Sequence, residues 1–206
     1  CIRDRTKAKL IALESNDQIF ADAIKRSRVV LGQAGRSNAT DGIKGPPIKK
    51  SVAVQKMSRD ALEPYAYIPQ FPSLVRNIPV IEKAAVGRHG GHGIFSVVTG
   101  KDGIVRSIPA FFGHEDEYFP AFAIEMLRVA TGRKTVLARV NNAGMTVAAI
   151  SKGLSVTTDR TGQIWPYFSK SDLSKYVSAA DVLNGSANPE LIKGKMTILG
   201  TSAVGL

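Results

Sequence analysis

Cysteine is nearly absent from this 206-residue chain: Cys1 stands alone, so no intrachain disulfide can form. That leaves the compartment open, since oxidising compartments permit disulfides without requiring them. Long apolar runs are missing as well, and no stretch approaches the roughly 20 residues needed to span a bilayer. There is no initiating methionine and no signal-peptide apolar segment. The chain is therefore expected to be a piece of a longer polypeptide. Recognisable catalytic sets are equally scarce. Ser202 sits in GTSAVG, which lacks the G-x-S-x-G elbow, and Gly153–Asp159 has no phosphate-cradling loop with Lys and Ser/Thr at the Walker spacing. Asp102 is better explained by a turn than as a general base, and Glu115-Asp116-Glu117 reads as a helix-start acidic cluster. No catalytic residue is assigned and no cofactor is expected.

Acid is short relative to base. The net charge is +11, and residues 1–60 hold thirteen Lys/Arg against six Asp/Glu. No zinc-finger ligands, RNA-binding aromatic motif or regular basic helix accompany that charge, so nucleic acid is not expected as a partner. The basic front half reads either as a solvated loop-rich surface or as a face toward anionic lipid head groups. Arg88-His89-Gly90-Gly91-His92-Gly93 invites a metal reading with His114 as third ligand. Three glycines give a flexible loop, whereas a metal centre needs ligands pinned by their surroundings. A surface turn leading into a hairpin is the reading adopted, with no metal ligand assigned.

Hydrophobic residues make up 44% of the chain, enough for a sizeable core. Apolar runs Ile94–Val98 and Ile104–Phe112 flank Gly100-Lys101-Asp102-Gly103, and Asp-Gly between such runs predicts a hairpin. Pro120 suits a first helical position; Phe122, Ala123, Met126, Leu127 and Ala130 recur at helical spacing, and Gly132 supplies a stop. Upstream, Asn16 or Asp17 can cap a helix presenting Ile19, Phe20, Ala23 and Ile24, followed by Val29–Gly32 as a short buried strand. Gln33–Asn77 is punctuated by Gly and Pro and reads as a mobile loop, a ligand-facing excursion or a regular element hidden from pattern; Ser51–Gln55 alternates weakly, as an edge strand would. Pro79–Ala85 predicts one or two helical turns.

Past the central helix, Met145–Ile150, Leu154–Thr158 and Ile164–Phe168 read as strands joined by Gly-containing turns. Arg106 is expected in an ion pair beside the turn, and Trp165 and Tyr167 as packing residues on one strand face. Ser178-Ala179-Ala180-Asp181 has the form of a capping box, with Gly185 as the stop. Lys195–Gly200 (KMTILG) reads as a buried strand, with Thr201 and Ser202 at its carboxyl end. Ligands of open α/β sheets sit outside such ends. Thr201 and Ser202 are accordingly the candidate ligand-binding residues, their alternative role being to turn the chain.

KDGIVRSIP followed by YFPAFAIEMLRVATG resembles the middle of a CHASE domain, type two, the extracellular sensory module of bacterial cyclases and histidine kinases. The tail is similar in order and spacing: GLSVTTDRTGQIWPYFS, YVSAADVLNG, then IKGKMTILGTSAVGL. The resemblance covers Ala84–Leu206 well and Asn16–Gly32 more loosely. It implies an extracytoplasmic (periplasmic) sensory domain of a membrane-bound protein with a cyclase or kinase output, an unidentified small-molecule or environmental signal, and a strand–helix segment upstream of the first helix.

The expected fold is one α/β domain over residues 1–206: a mixed sheet, flanking helices Asp17–Ser27 and Pro120–Thr131, antiparallel hairpin additions, and no N-terminal strand–helix unit. An unpaired sheet edge beside Val29–Gly32 would follow, and with it a homodimer. The alternative function is a soluble α/β small-molecule-binding or enzymatic domain.

Overall fold

A computed structural model describes residues 13–38, 50–87, 89–97 and 102–201. The expectations placed on residues 1–12, Arg88, Val98, Gly100-Lys101 and Ser202 lie outside the described residues. The chain forms two compact units, 1–166 and 167–206.

The first unit runs α1 (Asn16–Lys25), β1 (Val29–Arg36), β2 (Val52–Lys56), β3 (Ser73–Val75), α2 (Pro79–Ala84), β4 (Gly90–Ile94), β5 (Ile108–Pro109), β6 (Phe111–His114), β7 (Glu117–Pro120), α3 (Phe122–Ala130), β8 (Val136–Asn141), β9 (Gly144–Ser151), β10 (Leu154–Thr157) and β11 (Gln163–Ile164). It is α/β with mixed sheets, as expected. One sheet has the order β3-β1-β4, with β1 parallel to β4 and antiparallel to β3; another has the order β10-β9-β8-β2, with only β2–β8 parallel.

Side-chain alternation on β1 and β4 assigns the helices to faces. Val29 and Leu31 pack against Ala21 and Ile24 of α1 and Ala84 and Ala85 around the end of α2. On the other face a Cβ at Gly93 would stand 2.5 Å from the Phe122 Cα, so α3 lies almost against the β4 backbone. Ser15, rather than Asn16 or Asp17, caps α1 by accepting from the Gln18 N–H at 3.2 Å. The face of α1 that packs is Ala21 and Ile24; Ile19 and Phe20, expected on that face, are half-exposed.

Among the described residues the two runs predicted to pair around Asp102-Gly103 do not pair with each other. Of the first run's described residues only Ile94 is in a strand, as the last residue of β4, which pairs parallel to β1, while the second run contributes to β5, paired with β11, and to β6. Gly103 does hold a positive φ of 76°, and Arg106 pairs with Asp102 at 2.8 Å as expected, on the surface. The hairpin of this region is β6–β7, turning at Glu115-Asp116, both at positive φ (46° and 59°). Positive φ at both central residues is the signature of the I′ turn, whose twist matches its flanking strands. The acidic run is thus a turn, and Pro120 closes β7 opposite Phe111 instead of opening α3. Around these strands Phe111, Phe112, Ile94, Ile124, Val136 and Val140 form the main core.

The stretch Gln33–Asn77 contains regular structure after all: the remainder of β1, then β2, a 3-10 turn over Pro64–Ala66, and β3. Residues 39–49 of it lie outside the described residues. On the β3 side, β1 is paired only through Ala34–Arg36, while Val29–Gln33 pairs with β4 alone among the described strands. The Asn77 side-chain amide donates to the Gly32 carbonyl there at 3.2 Å.

The second unit is ordered by local bonds. Asp172 Oδ1 accepts from the Ser174 N–H and hydroxyl at 3.1 and 2.7 Å; Ser178 caps α4 (Ala179–Asn184), which Gly185 ends at φ 72°. None of its described residues is buried. Lys195–Gly200 is neither strand nor buried, and Leu199 is 87% exposed. A strand needs a neighbour to take its N–H and C=O groups, and no described strand pairs with this run. Trp165 and Tyr167 are likewise exposed and outside any strand, so the packing role expected of them is not found.

Candidate functional site

Two buried ion pairs flank β4, one on each face. On the α2 face, Glu82 Oε1 accepts from Gln33 Nε2 at 2.8 Å and from Arg76 Nε at 3.1 Å, and its Oε2 accepts from Arg76 Nη2. His92, on the same face of β4, is 5% exposed and its Nε2 lies 3.1 Å from the Glu82 carbonyl oxygen. Burial pushes the His92 pKa below its ordinary value of 6.5; the Glu82 charge and carbonyl oppose that, while Arg76 and Arg128 add to it. His92 is therefore neutral at pH 7.

On the other face, α3 turns Glu125 and Arg128 into the protein, 1% and 2% exposed, alongside Ile124 and Val129. The face expected to be buried, including Ala123 and Ala130, is displaced by this one, with both alanines exposed. A buried charge is tolerable only when paired and hydrogen-bonded, and Arg128 meets that condition fully. It makes five hydrogen bonds, matching the five N–H donors of a guanidinium: to Glu125 Oε2 (2.9 Å) and Oε1 (2.7 Å), and to the carbonyls of Gly87 (3.3 Å), Gly90 (2.8 Å) and Arg133 (2.5 Å). The Ser51 hydroxyl donates to Glu125 Oε2 at 3.2 Å. One side chain thus ties together the end of α3, the α2–β4 turn, the first residue of β4 and the loop into β8.

Glycine makes this possible. A Cβ at Gly91 would stand 1.9 Å from Glu125 Oε1, and one at Gly90 would stand 2.4 Å from the Ala85 backbone carbon. The glycines around His92 are close-packing positions in a buried strand, and the expected surface turn is not there. No group of three or more His, Cys, Asp or Glu side chains suited to a metal occurs among the described residues.

Above this network opens a cleft of about 280 Å³. It is lined by β4 with Glu125 and Arg128, by Ala85, Val86 and Gly87 after α2, and by Lys50-Ser51 and Lys134-Thr135, which lie side by side at the starts of the paired strands β2 and β8; His92 also lines it. Thr201 belongs to the second unit, where it is exposed with no regular structure before it. The strand end that nominated Thr201 and Ser202 is not formed, and Ser202 lies outside the described residues. Sequence reasoning missed Glu125 and Arg128. The available signal was an oppositely charged i, i+3 pair embedded between Ile124 and Val129 at core spacing.

The family model for the CHASE2 domain matches residues 3–206, essentially the whole chain. The chain belongs to the CHASE2 domain family. CHASE2 domains are extracellular sensory domains, and this segment is of that non-catalytic, sensory kind. Comparison with curated proteins and with solved structures found no match. No described helix of this CHASE2 domain is long and apolar enough to cross a membrane.

Proposed function

We propose that this CHASE2 domain is the extracytoplasmic, periplasmic input of a membrane-bound bacterial signalling protein whose output is an adenylate/guanylate cyclase or a histidine kinase. The family match over residues 3–206 carries this reading. A small molecule or environmental signal acts by binding one packing of the domain better than another, which is all that a ligand needs to shift a conformational equilibrium. The membrane surface adjoins the domain without being crossed by it. The test is placement: in spheroplasts expressing the full-length protein, externally added protease is expected to cleave within this domain while a cytoplasmic control protein survives. Cleavage only after lysis would refute the reading.

The domain works as a homodimer. Val29–Gln33 of β1 has no described strand on its β3 side, and a strand edge left open is a template for a second chain. Light scattering on the 206-residue chain is expected to give twice the monomer mass at high concentration. A monomer at every concentration tested would show that the edge is covered otherwise.

A further inference from the structure

We propose that the cleft over Arg128 binds a compact oxyanion, a carboxylate or phosphate borne by a small molecule, with Lys134 and Thr135 as its principal contacts. This gives a ligand class to the sensory reading above and rests on it only for what binding accomplishes.

Charge on the cleft walls decides the sign of the ligand. Lys50, Arg128 and Lys134 face one carboxylate, Glu125. Glu125 is already taken up by Arg128 and Ser51, and Arg128 in turn takes up the carbonyls of Gly87, Gly90 and Arg133. Those carbonyls, in the α2–β4 turn, at the first residue of β4 and in the loop after α3, would otherwise attract a cation. With the floor neutralised, the remaining charge is that of the two lysines. Among the described residues Lys134 is exposed and has no carboxylate partner, and Lys50 pairs with the half-buried Glu117 at 2.9 Å. Surface pairs of that kind contribute little, so an entering anion competes for Lys50 easily. Thr135 adds a hydroxyl donor beside Lys134, and neutral His92 brings no charge to repel or hold a ligand. A volume of about 280 Å³ suits a small molecule rather than a peptide side of any length.

Position links binding to the rest of the domain. Lys134-Thr135 lead directly into β8, whose first residue, Val136, donates its N–H to the Ser51 carbonyl at 2.7 Å, while the preceding Arg133 carbonyl is held by Arg128. An anion held by Lys50 and Lys134 therefore sits on the starts of two paired strands, one of them tied to Arg128 through the Arg133 carbonyl.

Isothermal titration of the 206-residue chain with inorganic phosphate and with succinate, against sodium chloride at matched ionic strength, succinamide and putrescine, tests this. Saturable binding of phosphate, succinate or both is expected, and which of them binds identifies the headgroup. Lys134→Ala should weaken that binding roughly tenfold or more, the size of one lost charge-assisted contact, whereas Lys175→Ala should leave it unchanged. Neither anion binding beyond chloride, equal affinity in Lys134→Ala, or preference for putrescine would each overturn the proposal. Binding as expected in a protein that proves not to be extracytoplasmic would sink the sensory reading and leave the site standing; no binding in a correctly placed domain would do the reverse.

Discussion

His92 sits buried beside two ion pairs, and its titration is the residue-scale consequence of that position. Folding lowers its pKa, so the unfolded chain binds the proton more readily than the folded one. Stability from keeping it neutral is complete above about 6.5 and is lost as pH falls from there toward the folded value. Thermal melts from pH 8 to pH 5 should show Tm falling below pH 6.5, with a shallower fall in His92→Gln. Equal slopes for the two proteins would show that His92 is not what the acid acts on. The groups facing it, Glu82 and Arg76 on one side of the sheet and Arg128 beyond the other, are the same in both proteins, so the comparison isolates the imidazole. Residue identity alone could not reveal this. Two histidines among three glycines suggest a loose loop until it is known that Gly90 and Gly91 are small because Ala85 and Glu125 press on them.

Among elements, those carried by local rules were legible: a Ser-capped helix ended by Gly185, the turns of α2 after Pro79, and the β9–β10 pair across Gly153. Elements decided by partners were not. The apolar run after Gly103 has the composition of one strand, but β5 and β6 serve different partners, and β8 was not anticipated at all although it is central to its sheet. The β6–β7 turn was hidden because Glu115 and Asp116 are poor residues for positive φ, a conformation that costs a non-glycine residue about 1–2 kcal/mol. Asp116→Gly should therefore stabilise the chain by up to about 1 kcal/mol, read as a higher midpoint in urea. An unchanged or lower midpoint would mean that the acidic pair is held there by interactions that offset its strain.

At the scale of the molecule, the α/β class and the flanking helices followed from alternation and spacing, while the fate of the tail did not. KMTILG has the apolar content of a buried strand, yet burial is a property of the partner, and residues 195–200 have no strand beside them among those described. The candidate site moved for the same reason, from Thr201 and Ser202 at that strand's end to a cleft built by α3, β4 and the starts of β2 and β8. Function was more legible than site, because two ordered blocks of sequence carried the family and the whole chain matches it. The central claim, that this domain is the input of a membrane-bound signalling protein, meets its most direct measurement in the gene's reading frame beyond the codon for Leu206. Apolar stretches of roughly 20 residues each, followed by a cyclase or kinase domain, are the predicted result; a stop codon, or soluble sequence continuing with neither, would contradict it.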